Sequence, residues 1–189
     1  YAWSEADNVW VNYKDGTSPT FAEVNGSTTF ELGSGYLAAY KTTDTKEFSG
    51  TMNVADIVII DLTITTPGTN YYSWHLLGNP YPSALTWKTG WTTDNIANFA
   101  KIWHGGNKSY SALVTGAPIP ATNGFMVQAS GGTGSLTIPA SKRLHSSQAF
   151  YKSADYPIIK LKANNMDNPS AQESELRFNP ESTIGYEME

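Results

Sequence analysis

Short runs in which apolar and polar positions alternate recur along the chain, each closed by Gly, Pro, Asn or Asp. Alternation at period two marks a strand with one buried face. Turn residues about every eight to twelve positions predict an all-β, two-sheet antiparallel β-sandwich of jelly-roll type. VWVNYK (residues 9–14) sets Val9, Val11 and Tyr13 on one face, and KDGT closes it. GYLAAYK (35–41) and KEFSGTMNV (46–54) flank TTDT and predict a hairpin. DIVIIDLTIT (56–65) is the strongest strand signal, with Val58, Ile60, Leu62 and Ile64 sharing a face that Ile57 and Ile59 join near the start. YSWHLLGN (72–79), KIWHGG (101–106), NGFMVQA (123–129), GSLTIP (134–139), KRLH (142–145), IIKLKA (158–163) and SELRFN (174–179) read as further strands. At most one short helix is predicted, over TTDNIANFA (92–100), where Thr92 or Thr93 caps and Ile96, Phe99 and Ala100 share a face. One domain over residues 1–189 is the simplest organisation, with 164–189 its least defined part.

Composition strengthens the strand reading. Only 15% of residues are charged and 13% are aromatic, whereas helical surfaces are usually rich in Glu, Lys and Arg. The net charge of −5 comes with scattered Lys and Arg, which argues against nucleic acid and against an anionic membrane surface. Without cysteine there is no disulfide framework and no thiolate metal site. The longest apolar run, IVIIDL (57–62), is too short to span a bilayer. The chain opens on Tyr1 rather than Met, which reads as a processed piece of a longer, multidomain protein.

The densest aromatic stretch is WHLLGNPYPSALTW (74–87). Residues before proline are driven out of the helical region, and Asn79 can bond local backbone, so GNPYP describes a rigid strand-exit corner with buried rings. The competing reading is a sugar-stacking surface, since indole and phenol rings offer flat apolar faces with a polar handle. Trp74 and Trp103 lie in strand-like runs and are assigned to the core. Trp87 and Trp91 sit in the loop-like TWKTGWTT (86–93) and, with Tyr81, are the candidate glycan-stacking residues, but packing under the corner is the favoured reading of these rings.

Other chemistry is sparse. NNMDNPSAQESE (164–175) offers oxygens from Asn165, Asp167 and Glu173 for a structural calcium, and SEADN (4–8) offers Glu5 and Asp7; a solvated loop is the favoured reading of both, since calcium needs six to eight oxygens. His75, His104 and His145 have no paired spacing for zinc. No nucleophile elbow, phosphate loop or HExxH occurs, and GGTGS (131–135) reads as a hairpin loop.

WHLLGNPYPSALTW resembles the aromatic-x-leucine-x-glycine-asparagine-proline-tyrosine-proline segment of surface proteins exported by the type IX route of Bacteroidetes. In the same order, GYLAAY (35–40), FSGTMN (48–53), IPATNGFMVQA (119–129), KRLH (142–145) and ESELRFNPESTIGYE (173–187) resemble further blocks of that family. Its closing block usually carries an Asp–Glu pair where this chain has Gln172 and Glu173, so no role carries over to that pair. The resemblance implies an exported jelly-roll-like sandwich, secreted or held at the outer cell surface. It implies no single activity.

Three functions follow as expectations. The first is a non-catalytic module for adhesion or glycan recognition, with a polysaccharide or cell-surface glycan as partner and no cofactor. The second is a polysaccharide-degrading enzyme on the same scaffold. The third is a structural spacer that contacts only neighbouring domains of its own polypeptide.

Overall fold

A computed structural model of the 189-residue chain describes residues 1–39, 50–65, 72–105 and 108–145, with the strand backbones of 158–165 and 168–177. Where the sequence reads as one domain, the chain forms two compact units, Tyr1–Lys152 and Ser153–Glu189. The fold is all-β and sandwich-like. The first unit contains β1 (Ala2–Ser4), β2 (Val9–Val11), α1 (Phe21–Asn25), β3 (Ile57–Leu62), β4 (Trp74–Gly78), β5 (Ala84–Thr86) and β6 (Thr92–Asp94). It continues through β7 (Ile96–His104), β8 (Ser109–Leu113), β9 (Pro118–Ile119), β10 (Gly124–Ala129), β11 (Gly134–Ile138) and β12 (Arg143–Leu144).

The strand pairs are antiparallel, and they build a four-stranded sheet in the order β4-β10-β7-β8, two three-stranded sheets, β3-β11-β6 and β12-β5-β9, and the hairpin β1-β2. The chain changes sheet repeatedly between β3 and β11, as sandwich connections do. The main core lies between the sheets, and a second, smaller cluster is built by Ala2, Val11 and Phe21. Leu77, Ile96, Ala100, Ile102, Leu113, Phe125 and Val127 from the four-stranded sheet meet Leu62, Leu136, Ile138, Leu85, Ile119 and Trp87.

Two irregularities decide which side chains reach that core. On β3, Leu62 pairs with Gly134 and Ile59 with Leu136, so three steps on β3 match two on β11. Asp61 takes φ 58° within this bulge. An extra residue inverts the facing of everything before it. Val58 and Ile60 are therefore exposed, while Ile57 and Ile59 pack on the core with Leu62; the expected face is reversed.

The expected helix over 92–100 is β6 and the start of β7 instead. Ile96 pairs with Ala129 and Ala100 with Val127, so four steps on β7 match two on β10. The apolar spacing of four that suggested a helical face is the footprint of this bulge. Lys88 donates from Nζ to the carbonyls of Ile96 and Ala97 and to Asn98 Oδ1, each at 3.0 Å, serving polar groups of the bulged stretch. Burial pulls the Lys88 amine below its ordinary pKa.

The helix lies elsewhere. In α1, Thr20 accepts from the Glu23 amide at 3.3 Å and Glu23 accepts from the Thr20 amide at 2.6 Å, a complete capping box. The predicted hairpin over 35–54 falls partly on residues 40–49, outside the described residues; its described parts, 35–39 and 50–54, carry no strand.

In the second unit, β13 (Ile158–Asn165) and β14 (Asn168–Arg177) form a hairpin where the sequence offered a loop of calcium ligands. Asn165 pairs with Asn168 at the hairpin end and Glu173 with Lys162. At about 3.3 Å per residue, Glu173 lies roughly 17 Å along the strand from that end, too far for Asn165 and Glu173 to share one ion. Asp167 lies outside the described residues.

Candidate ligand-binding face

The residues expected to stack on sugar are core residues. Tyr81 is 2% exposed, Trp87 0% and Trp91 8%. Trp87 meets Trp91 edge-on with centroids 5.1 Å apart, and Phe125 edge-on at 5.7 Å. Buried on all sides, these rings present no free face to a ligand, and the stacking assignment is corrected to packing. GNPYP is the rigid corner. Asn79 Oδ1 accepts from the Tyr81 amide at 3.0 Å, while Nδ2 faces the carbonyls of Ser83, Ile119 and Pro120 at 2.9, 3.3 and 3.0 Å. The Tyr81 hydroxyl reaches the carbonyls of Ile138 at 2.8 Å and Ala55 at 3.0 Å. Gly78 is needed for space rather than for its backbone angle, because a Cβ there would stand 2.6 Å from the Ser34 carbonyl oxygen.

A row of exposed rings lies on the outer face of the four-stranded sheet and includes Trp103, which the sequence assigned to the core. On β7, Ala100 and Ile102 point inward, so Phe99, Lys101 and Trp103 point outward from the four-stranded sheet. Trp103 pairs with Tyr110 of β8, Lys101 with Met126 of β10, and Gln128 of β10 with Trp74 of β4. Trp103 and Tyr110 are 46% and 47% exposed and meet edge-on at 5.1 Å. Trp74 is half-buried and lies 6.0 Å from Phe99, and Lys101 Nζ stands 4.6 Å over the Trp74 ring. Four rings and one ammonium thus share one outer face. Phe99 and Trp103 are about 13 Å apart along β7 at ~3.3 Å per residue, so the face is an elongated strip. Burial raises the Tyr110 phenol above its ordinary pKa, which keeps it a neutral hydroxyl.

The strip was missed because residues 92–100 read as a helix. With β7 treated as a strand, Phe99, Lys101 and Trp103 alternate strictly with Ala100 and Ile102, and the outward row is legible.

Carboxylates gather elsewhere, around an open cleft of about 450 Å³ lined by Glu5, Asp7, Glu23, Asp61, His75 and Trp3, among others. Three of them already serve the fold. Glu23 closes the capping box, and Asp7 accepts from the Ser4 hydroxyl at 2.6 Å. Glu5 accepts from the amides of Ser73 at 2.7 Å and Thr65 at 3.1 Å, and from the Thr65 hydroxyl. Burial pushes the Glu5 carboxyl up, but the Thr65 side chain, the Ser73 and Thr65 amides and nearby His75 outweigh it and hold the pKa below the ordinary value. Burial holds the His75 pKa below its ordinary 6.5, against the opposing pull of the Thr63 carbonyl and Glu5. A glycosidase acid needs a raised carboxyl pKa, the opposite of Glu5 and Glu23. Among the described residues, no group of three or more His, Asp or Glu gathers as a metal site.

These shifts set an acid dependence. Both groups bind their proton more weakly when folded, so the unfolded chain takes up protons first as pH falls, and stability drops with pH. The His75 contribution is lost on descending from about 6.5 toward its lowered value; that of Glu5 is lost below the ordinary carboxylate range. Urea midpoints recorded from pH 7 to pH 3 are expected to fall in two stages. Glu5→Gln shrinks the lower stage, to which Glu23 also contributes, and costs about 1–3 kcal/mol at pH 7, because an amide group then faces donors. A midpoint independent of pH in this range would contradict the assignment.

Comparison with family models, with curated proteins and with solved structures finds no match to this chain.

Proposed function

We propose that this chain is a non-catalytic recognition module of an exported or surface-held protein, and that it binds glycan on the outer face of its four-stranded sheet. The observation that carries the reading is the row Trp74, Phe99, Trp103 and Tyr110, held outward on paired strands. A contiguous exposed aromatic surface is unusual without a ligand or partner, and sheet pairing fixes the spacing of the rings. Flat rings with a polar edge suit the apolar face of a sugar. The ordered blocks around GNPYPS that resemble type IX cargo domains support export and neighbouring domains on the same polypeptide. The reading requires no metal and no bond cleavage.

Affinity measurements of the full chain against a polysaccharide panel test it. Trp103→Ala and Trp74→Ala are each expected to weaken binding about tenfold, or ~1.4 kcal/mol. Trp10→Ala, on the β1-β2 hairpin, leaves affinity unchanged. Equal affinity in all four proteins, or no binding anywhere in the panel, would refute the reading.

A further inference from the structure

Resting on that reading, we propose that the ligand is an acidic polysaccharide, a chain of uronic acid units, and that Lys101 receives its carboxylate. Lys101 stands within the aromatic strip, between Met126 and Ala112 in the sheet register and over the Trp74 ring. The four strands of this face, β4, β10, β7 and β8, contain no Asp or Glu. The contrast extends well beyond the face. The chain has 17 acidic residues and a net charge of −5, yet none of the 17 lies between Asp94 and Asp155. The interval that supplies β7, β8 and β10 is therefore cationic within an anionic chain.

That pattern selects a ligand. A neutral glycan needs only the rings, and an ammonium beside them would stay hydrated without contributing. An acidic sugar presents an apolar ring face to the exposed Trp103 and a carboxylate at its rim, where one point charge can receive it. The cation–π contact with Trp74 fixes the ammonium without neutralising it. Densely sulfated chains call for clusters of basic residues, and the strands of this face carry Lys101 alone. An exposed ion pair by itself contributes little, so charge acts here as a selector added to stacking.

The experiment uses the full chain with three probes: polygalacturonate, the same polymer with its carboxyls reduced to alcohols, and dextran sulfate. Wild type is expected to bind polygalacturonate at least fivefold more tightly than the reduced polymer, and salt is expected to remove the difference. Lys101→Met keeps the apolar stem against Trp74 and should bring polygalacturonate down to the reduced-polymer level; Lys101→Arg should restore the preference. Equal wild-type affinity for the two polymers overturns the acidic-ligand inference and leaves glycan recognition standing. Preference for dextran sulfate also overturns it. Binding to none of the three by folded protein overturns the inference, and failure across the neutral panel as well removes the glycan reading beneath it. Reversible self-association of the chain that Trp103→Ala abolishes would assign the face to a second copy and overturn both.

Discussion

Trp87→Ala is expected to cost about 3–5 kcal/mol of folding stability, the range for deleting a large buried aromatic. Its side chain is fully enclosed and touches two other rings edge-on. Removing it opens a cavity where Trp91, Phe125 and the corner above are least able to collapse, since Asn79 and Tyr81 bond that corner to several strands. For a domain stable by about 5–15 kcal/mol, such a loss is a large share of the total. Trp87→Phe separates packing from polarity. Among the described residues the buried Trp87 Nε1 has no hydrogen-bond partner, so phenylalanine removes an unpaired donor as well as volume. Its cost should stay below half that of alanine. Urea unfolding with linear extrapolation measures both. A loss under 1 kcal/mol for Trp87→Ala would mean this ring is not a core element.

Asn79→Ala is the second large effect, at about 2–4 kcal/mol, because one side chain serves one amide and three carbonyls. The Tyr81 amide and the Ile119 and Pro120 carbonyls are buried with it. Asn79→Asp keeps the acceptor but aims a carboxylate oxygen at carbonyls, so it should cost at least as much at pH 7. Thermal or urea melts of the two variants check this. An aspartate variant as stable as wild type would show that the amide donor bonds are dispensable.

The all-β class was legible because composition and period-two runs agree across most of the chain. Facing was legible only where strands are regular. β11 buries Gly134, Leu136 and Ile138 in strict alternation, whereas one bulge at Asp61 reverses β3 and another between Ile96 and Ala100 mimics a helical repeat. Bulges are set by cross-strand register, which a single strand does not encode. The helix at Phe21–Asn25 was too short for periodicity, although TFAE (20–23) spelled out its capping box. Exposure was harder to read at the tryptophans. Trp87 and Trp91 look exposed because their segment is rich in turn residues, yet that segment folds under the corner; Trp103 looks buried because it is flanked by Ile102, which takes the inner side. The acid-free interval from 95 to 154 was visible throughout, and gained meaning only once β7 was placed at the surface.

The hydrogen bonds of the first few residues reach further than their position suggests. Trp3 donates from its indole to the Trp74 carbonyl at 2.8 Å, and Glu5 holds the amide of Ser73 immediately before it. The opening strand is thereby latched to the backbone that carries Trp74, the first ring of the aromatic strip. Strain on the β1-β2 hairpin would therefore be felt at the start of β4, where Trp74 stands, although the hairpin adds no strand to the four-stranded sheet.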